Sequence, residues 1–361
     1  MDIETKIQLI LRRPTEEVIT LNELRVLLET KAEPIAYDGF EPSGIPHLAT
    51  GLLKVLKVKD LTDAGCKYIL FLADAHAWIN EKLGGDLGRI RLAGELFIAC
   101  WKTLMEAFHV DQGRVQFKWG TEVYDEEYWH LVLRVARKIS LARAKRSLTI
   151  AGRRSAEAQN LATYFYIPMQ IADIFHMKID ICQLGMDQRK ANILAREVGP
   201  SLGLWKPVCV HHHLLMGLKG PKKMGLDDDE VLDLTISSKM SKSKPETCIY
   251  VIDSPEIIKS KLLSAYCPPR ETIANPVIDI CRNILLRHER LSLTIDRPIK
   301  YGGEVTYYDI KELEEDYKSG RLHPLDLKIA VAKELAKLME PCRRLLQHGW
   351  ARKALQELYR G

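Results

Sequence analysis

The sequence predicts an α/β protein, a doubly wound parallel sheet followed by a smaller α-helical C-terminal domain. Three observations lead there. Tyr68-Ile69-Leu70-Phe71-Leu72 is an unbroken apolar run bounded by turn signals, the pattern of a strand buried on both faces. Further short strands, at 115–117, 178–184 and 208–210, alternate with stretches of helical periodicity, as βαβ units do. Beyond residue 254 the pattern is mostly helical. The expected division is a helical lead-in over 1–30, a sheet domain over 31–248 and a helical domain over 249–361.

The lead-in carries Ile3, Ile7, Ile10 and Leu11 at helical spacing, and Thr15-Glu16-Glu17 with residues 21–28 reads as a second helix. Next comes Tyr37-Asp38-Gly39-Phe40-Glu41-Pro42-Ser43-Gly44-Ile45-Pro46-His47-Leu48-Ala49-Thr50. It reads as a strand end, a glycine-punctuated loop and the first turn of a helix. Gly39 and Gly44 let backbone approach a ligand, while Pro42 and Pro46 stiffen the loop. Ser43, His47 and Thr50 fall near a helix N-terminus, where exposed N–H groups favour an anion. The stretch is a candidate phosphate site, or an ordinary capped connection.

A helix with Leu52, Leu53, Leu56 and Leu61 stops near Gly65 and feeds the apolar strand. Asp74 and His76 follow that strand, at the end where open parallel sheets bind ligands, and read equally as a capping Asp and a packed His. Residues 89–109 form a long helix, and 126–146 a second one ending in Arg134, Arg137, Lys138, Arg143, Lys145 and Arg146. That basic face is either solvated or a contact for a phosphate backbone. Tyr166, Gln170 and Asp173 then sit at i, i+4 and i+7 on an apolar helix. A phenol, an amide and a carboxylate in one row are costly unless partnered. They form a polar domain boundary or a pocket for an amino acid.

The strand at 178–184 ends at Gly185-Met186-Asp187-Gln188-Arg189-Lys190, which opens a helix. Asp187 there can cap the helix or hold ribose hydroxyls. His211-His212-His213 alternate faces on a strand, which is poor ligand spacing, so no protein-held metal is expected. Residues 221–236 include Asp227-Asp228-Asp229-Glu230 and read as an exposed acidic segment. Ser238-Lys239-Met240-Ser241-Lys242-Ser243-Lys244-Pro245 alternates lysines with small hydroxyl residues, which suits a loop that meets a polyphosphate.

The two stretches around His47 and Lys239, in this order, resemble the HIGH and KMSKS signatures of class I aminoacyl-tRNA synthetases. The wording from Tyr37 to Gly44 resembles the archaeal and eukaryotic tyrosyl-tRNA synthetases, and the likeness runs from about residue 30 to the end. It implies a Rossmann-like catalytic domain ending with the lysine loop and an anticodon-binding helical domain. It also implies a tyrosine–tRNA ligase, with ATP as substrate, Mg2+ accompanying ATP, tRNA(Tyr) as partner and a homodimer. By the same resemblance Tyr37 and Asp173 hold the substrate phenol, and Tyr166, Gln170 and Gln188 its ammonium. Gly39, Ser43, Gly44, His47, Thr50, Asp187, Met240, Ser241 and Lys242 contact ATP. His47, Lys239 and Lys242 act in catalysis. Arg146, Arg189 and Lys190 meet the acceptor stem, and Tyr301 and Asp326 read the anticodon. One departure stands out, since Ala49-Thr50 replaces the Gly-His that usually ends the first signature. The alternatives are a tryptophanyl-tRNA synthetase and a silent RNA-binding homologue.

Bulk properties fit these expectations. The chain has 361 residues and a formal charge of +5, which permits an RNA partner without requiring one. Eight cysteines include no CxxC pair, which points to a reducing, cytoplasmic setting. Met1 to Arg13 lacks the apolar stretch of a signal peptide, and no apolar run has the ~18 residues of a membrane span.

Overall fold

The computed structural model describes residues 1–147, 160–225, 229–241, 245–288, 291–347 and 349–359. Six strands form one sheet: β1 (Thr15–Ile19), β2 (Ile35–Phe40), β3 (Lys67–Leu72), β4 (Val115–Trp119), β5 (Ile181–Gly185) and β6 (Val208–His212). Their order is β1-β6-β5-β2-β3-β4. All neighbours run parallel except β1, which lies antiparallel on β6. The chain leaves β2 toward β3 and β4, then returns to the other side of β2 with β5 and β6. The strand order therefore reverses between β2 and β5, and a crevice opens there at their carboxyl ends.

Burial of both faces explains the apolar strands. Helices Lys54–Asp63 and Leu87–Ala107 cover one face, with Leu52, Val55, Phe97, Trp101 and Leu104 in its core. Helices Tyr166–His176 and Arg189–Ser201 cover the other, packing Ile167, Ile171, Ile174 and Leu194 beneath Tyr37 and Phe71. Strand alternation decides who faces which. Tyr37 joins the second core, whereas Asp38 turns to Lys54 under the first.

The lead-in is not all helix. Ile3–Leu11 and Leu21–Thr30 are helical, but Thr15–Ile19 is β1. Local sequence offers Glu16 and Glu17 as helix formers, and the partner strand overrides them. Glu17 pairs opposite His211, accepting from its Nδ1 at 2.8 Å and from Arg189 at 2.9 Å. The helix expected over 126–146 is two helices, Glu126–Ala136 and Leu141–Ser147.

The C-terminal part holds helices Pro255–Leu263, Ile310–Ser319, Pro324–Leu338 and Gly349–Tyr359 with one small hairpin, β7 (Leu293–Ile295) and β8 (Val305–Tyr307). It is stitched to helix Lys54–Asp63 by buried charge. Asp60 meets Arg287, Lys57 at 3.2 Å and Arg12 at 3.4 Å. Removing one member of such a group would strand the others, a loss of ~3–5 kcal/mol. Among the described residues no helix is long and apolar enough to cross a membrane.

Candidate active site

A cavity of about 1110 Å³ opens at the reversal point between β2 and β5. Tyr37, Gly39, Ser43, His47, Thr50, Tyr166, Gln170, Asp173, Asp187, Gln188, Lys239, Met240 and Ser241 all line it. Sequence stretches as far apart as residues 37 and 241 thus meet in one place.

The amino-acid end is built on the second core. Helix Tyr166–His176 turns its polar row inward, and Tyr166, Gln170 and Asp173 are all buried. Gln170 donates to Gln188 Oε1 at 3.0 Å, while among the described residues its own Oε1 and Asp173 Oδ1 are buried without a hydrogen-bond partner. Orphaned buried acceptors are costly, and both stand in the wall of a ligand-sized cavity. Burial pushes the Asp173 carboxyl up to about 8, against the opposing pull of the Tyr124 and Tyr128 hydroxyls. Burial also raises the Tyr37 phenol, and the Asp173 charge adds to that rise. His76, 3.6 Å from Asp173, is pushed down to about 4 by burial, so it stands neutral beside the carboxyl. Its ring meets Tyr166 edge-on at 4.6 Å. His76 and the stacked Tyr124–Tyr128 pair were not assigned to a ligand by sequence reasoning; only the position of His76 after β3 gave a signal. Asp74, by contrast, is a bracket, accepting from Thr121 N at 2.9 Å and Thr121 Oγ1 at 2.5 Å.

The nucleotide end is held by two stretches sewn together. Gly44 takes φ +92°, a left-handed turn that favours glycine. His47 N–H donates to Thr50 Oγ1 at 3.2 Å, and Trp101 Nε1 donates to Thr50 O at 2.9 Å. Residues 49–53 form a wide π-type turn before the helix proper, a feature frequent at functional sites. The chain after the lysine loop returns to this place. Leu48 N–H donates to Ile249 O at 2.8 Å, and Val251 N–H to Pro46 O at 3.0 Å. The loop's other end is fixed by Met240 N–H to Leu215 O at 2.7 Å and Gly217 N–H to Ser238 O at 2.8 Å. Lys239 Nζ therefore reaches Asp187 at 2.6 Å across the cavity mouth. Lys242 lies outside the described residues.

Other expectations fall differently. In the acidic segment 221–236, Lys222, Lys223, Asp229 and Glu230 are exposed as expected, whereas Asp233 and Ile236, on helix Glu230–Ser238, are buried, and Asp233 accepts from Gly225 N–H at 3.1 Å. Asp227 and Asp228 lie outside the described residues, as does the side chain of Arg146. Arg189 pairs with Glu17 at 2.9 Å while its side chain stays partly exposed. Tyr301 is 61% exposed at the end of a short 3-10 turn, Ile299–Tyr301, in the connection between β7 and β8, and Asp326 sits in the first turn of helix Pro324–Leu338. Sequence reasoning missed Glu41, which accepts from Asn80 and pairs with Lys82 at 3.3 Å, and the buried pair Asp38–Lys54. Among the described residues no cluster of three His, Cys, Asp or Glu has metal-holding geometry.

Comparison with known proteins agrees with this layout. The family model for class I tRNA synthetases (W and Y) matches residues 28–237 and 229–340. A tyrosine–tRNA ligase of Thermococcus kodakarensis is 46% identical, over 95% of this chain and 95% of that protein. This chain belongs to the tyrosine–tRNA ligase family. Another member, from Thermococcus sibiricus, is 44% identical over 95% of each chain. The crystal structure of tyrosyl-tRNA synthetase complexed with L-tyrosine from Pyrococcus horikoshii superposes with a TM-score of 0.91 at 43% identity, covering 99% of this chain and 100% of that one. The Rossmann-like class I fold is shared throughout.

Proposed function

We propose that the chain activates L-tyrosine with ATP and transfers it to the 3′ end of tRNA(Tyr). The tyrosine carboxylate attacks the α-phosphorus, forming tyrosyl-adenylate and releasing pyrophosphate. The terminal ribose hydroxyl of the tRNA then attacks the adenylate carbonyl, and AMP leaves. The observation that supports this reading best is the buried Asp173 carboxyl with an unpartnered oxygen, in the same cavity as Tyr37 and the lysine loop.

In this reading Tyr37 and Asp173 grasp the phenol, and Tyr166, Gln170 and Gln188 receive the ammonium. Gly39, Ser43, Gly44, His47, Thr50, Asp187, Met240 and Ser241 surround ATP, which arrives with Mg2+. Lys239 and Lys242 meet charge that develops as pyrophosphate leaves, so catalysis comes from positioning and electrostatics. The Lys239–Asp187 pair must exchange partners for this, Asp187 turning to ribose hydroxyls. Residues 31–248 serve as the catalytic domain and 249–361 as the anticodon-binding domain. Arg146, Arg189 and Lys190 take the acceptor stem, while Tyr301 stacks an anticodon base and Asp326 accepts from its edge.

The long helix at 87–107 buries its apolar face in the core, so it leaves little for a dimer contact. A homodimer would use Trp129, Leu133 and Leu141 instead, which are large, apolar and exposed. A cytoplasmic location goes with this work. ATP–pyrophosphate exchange across all the amino acids tests the proposal. Exchange with tyrosine alone supports it, exchange with tryptophan favours the rival enzyme, and RNA binding without any exchange favours the silent homologue.

A further inference from the structure

Lys54 and Asp38 are both buried, they pair with one another, and both line the cavity. A buried ion pair adds little stability over well-packed apolar side chains, because desolvation offsets its attraction. Leu52, Leu53, Val55 and Leu56, which flank it in sequence, are all buried and apolar. A charge pair there needs another explanation.

The contrast with Lys57, one turn on, supplies it. Lys57 is also buried, and its ammonium is fully employed: it donates to Ile10 O at 3.0 Å and Arg12 O at 3.2 Å, and pairs with Asp60 at 3.2 Å. That is a structural lysine. Among the described residues Lys54 has Asp38 as its hydrogen-bond partner, which leaves two of an ammonium's three donors for whatever fills the cavity. It stands four residues beyond Thr50, directly after the π-type turn. Asp187, which grips Lys239, is close enough to Asp38 for the two carboxylates to repel. The two lysines are thus each held by a carboxylate in the cavity wall.

We propose that Lys54 is a triphosphate-contacting residue of the activation site, kept in place by Asp38 until the nucleotide arrives. This rests on the activation chemistry proposed above. Burial holds the Asp38 carboxyl at about 6, well above its ordinary value, so it can surrender its charge near neutral pH when a phosphate approaches. The ammonium then faces the anion rather than its partner.

Four variants test this: Lys54→Met, Lys54→Arg, Asp38→Asn, and the double variant Asp38→Asn with Lys54→Met. Tyrosine-dependent pyrophosphate exchange gives kcat and the KM for each substrate, calorimetry gives the tyrosine Kd, and thermal melting gives Tm. The proposal expects Lys54→Met to lose at least ~10-fold in kcat/KM for ATP, the scale of one charge-assisted hydrogen bond, with tyrosine Kd unchanged. Lys54→Arg should recover part of that loss, and Asp38→Asn, which leaves the ammonium without its holder, should lose less ATP kcat/KM than Lys54→Met does. The double variant, having no stranded charge, should recover Tm but not exchange. Recovery of both Tm and exchange in the double variant would make the pair structural and overturn the proposal. So would a Lys54→Met loss that falls equally on tyrosine. A wild-type protein without tyrosine-dependent exchange would instead refute the activation chemistry itself.

Discussion

Asp173→Asn replaces the buried carboxyl with an isosteric neutral amide. At pH 7 a carboxyl with a pKa of about 8 is protonated in roughly nine molecules of ten in the empty site. A substrate phenol that donates to the charged form draws the group toward ionisation, so tyrosine binding should release on the order of 0.9 proton. Calorimetry in buffers of different ionisation enthalpy reads that release directly, and the variant should show none. Losing a hydrogen bond to a charged acceptor costs ~1.5–3 kcal/mol, a fall of ~10- to ~150-fold in kcat/KM for tyrosine in pyrophosphate exchange. Phenylalanine offers no hydroxyl, so its own kcat/KM should stay put and selectivity should narrow. Sites that hydrogen-bond a substrate hydroxyl can reject the analogue lacking it by ~10⁴–10⁵, and a tyrosine-selecting synthetase is the standard example of that range. Stability should move the other way. The unfolded carboxyl titrates near 3.8 and the folded one near 8, so between those values the folded chain keeps a proton that the unfolded chain has lost. Stability therefore falls as pH rises across that window, and Asp173→Asn, lacking the group, should melt higher than wild type at pH 8. An unchanged tyrosine kcat/KM in the variant, together with no proton release in the wild type, would refute the assignment.

Lys239→Ala should slow adenylate formation by ~10²-fold or more in single-turnover experiments while leaving tyrosine binding within about twofold; equal losses in both would remove its transition-state role. His213 is lowered by burial, but Asp279 at 2.8 Å and then Glu16 raise it to about 10. Its stabilising pair is complete below the unfolded value of 6.5 and is lost as pH rises toward 10. The Tm difference between wild type and His213→Gln should be largest near pH 6 and vanish by about pH 10. A Cβ at Gly51 would run into Val251, on the segment that returns from the lysine loop. Gly51→Ala should therefore cost ~1–3 kcal/mol in denaturant unfolding and raise the KM for ATP.

The sheet and the pocket were legible in the sequence where local pattern and tertiary role agree. Tyr68 to Leu72 is apolar because helices cover both faces, and the row Tyr166, Gln170, Asp173 keeps helical spacing because all three face one cavity. Legibility failed where a distant partner decides the outcome. Thr15–Ile19 is a strand only because β6 offers its edge and His211 and Arg189 satisfy Glu17. Asp38 and Lys54 look like surface charges until the fold buries them together. The acidic segment reads as solvated, yet Asp233 is tied to the Gly225 backbone. None of these pairings leaves a local trace.

Tyr37 and Asp38 are consecutive residues on β2, and they serve opposite sides of the sheet. The strand supplies both ends of a single cavity from adjacent residues, a phenol at one and a carboxylate–ammonium pair at the next. On the function proposed above, a change at position 37 acts first on the amino-acid guest and a change at position 38 first on the nucleotide, although a single peptide bond separates them.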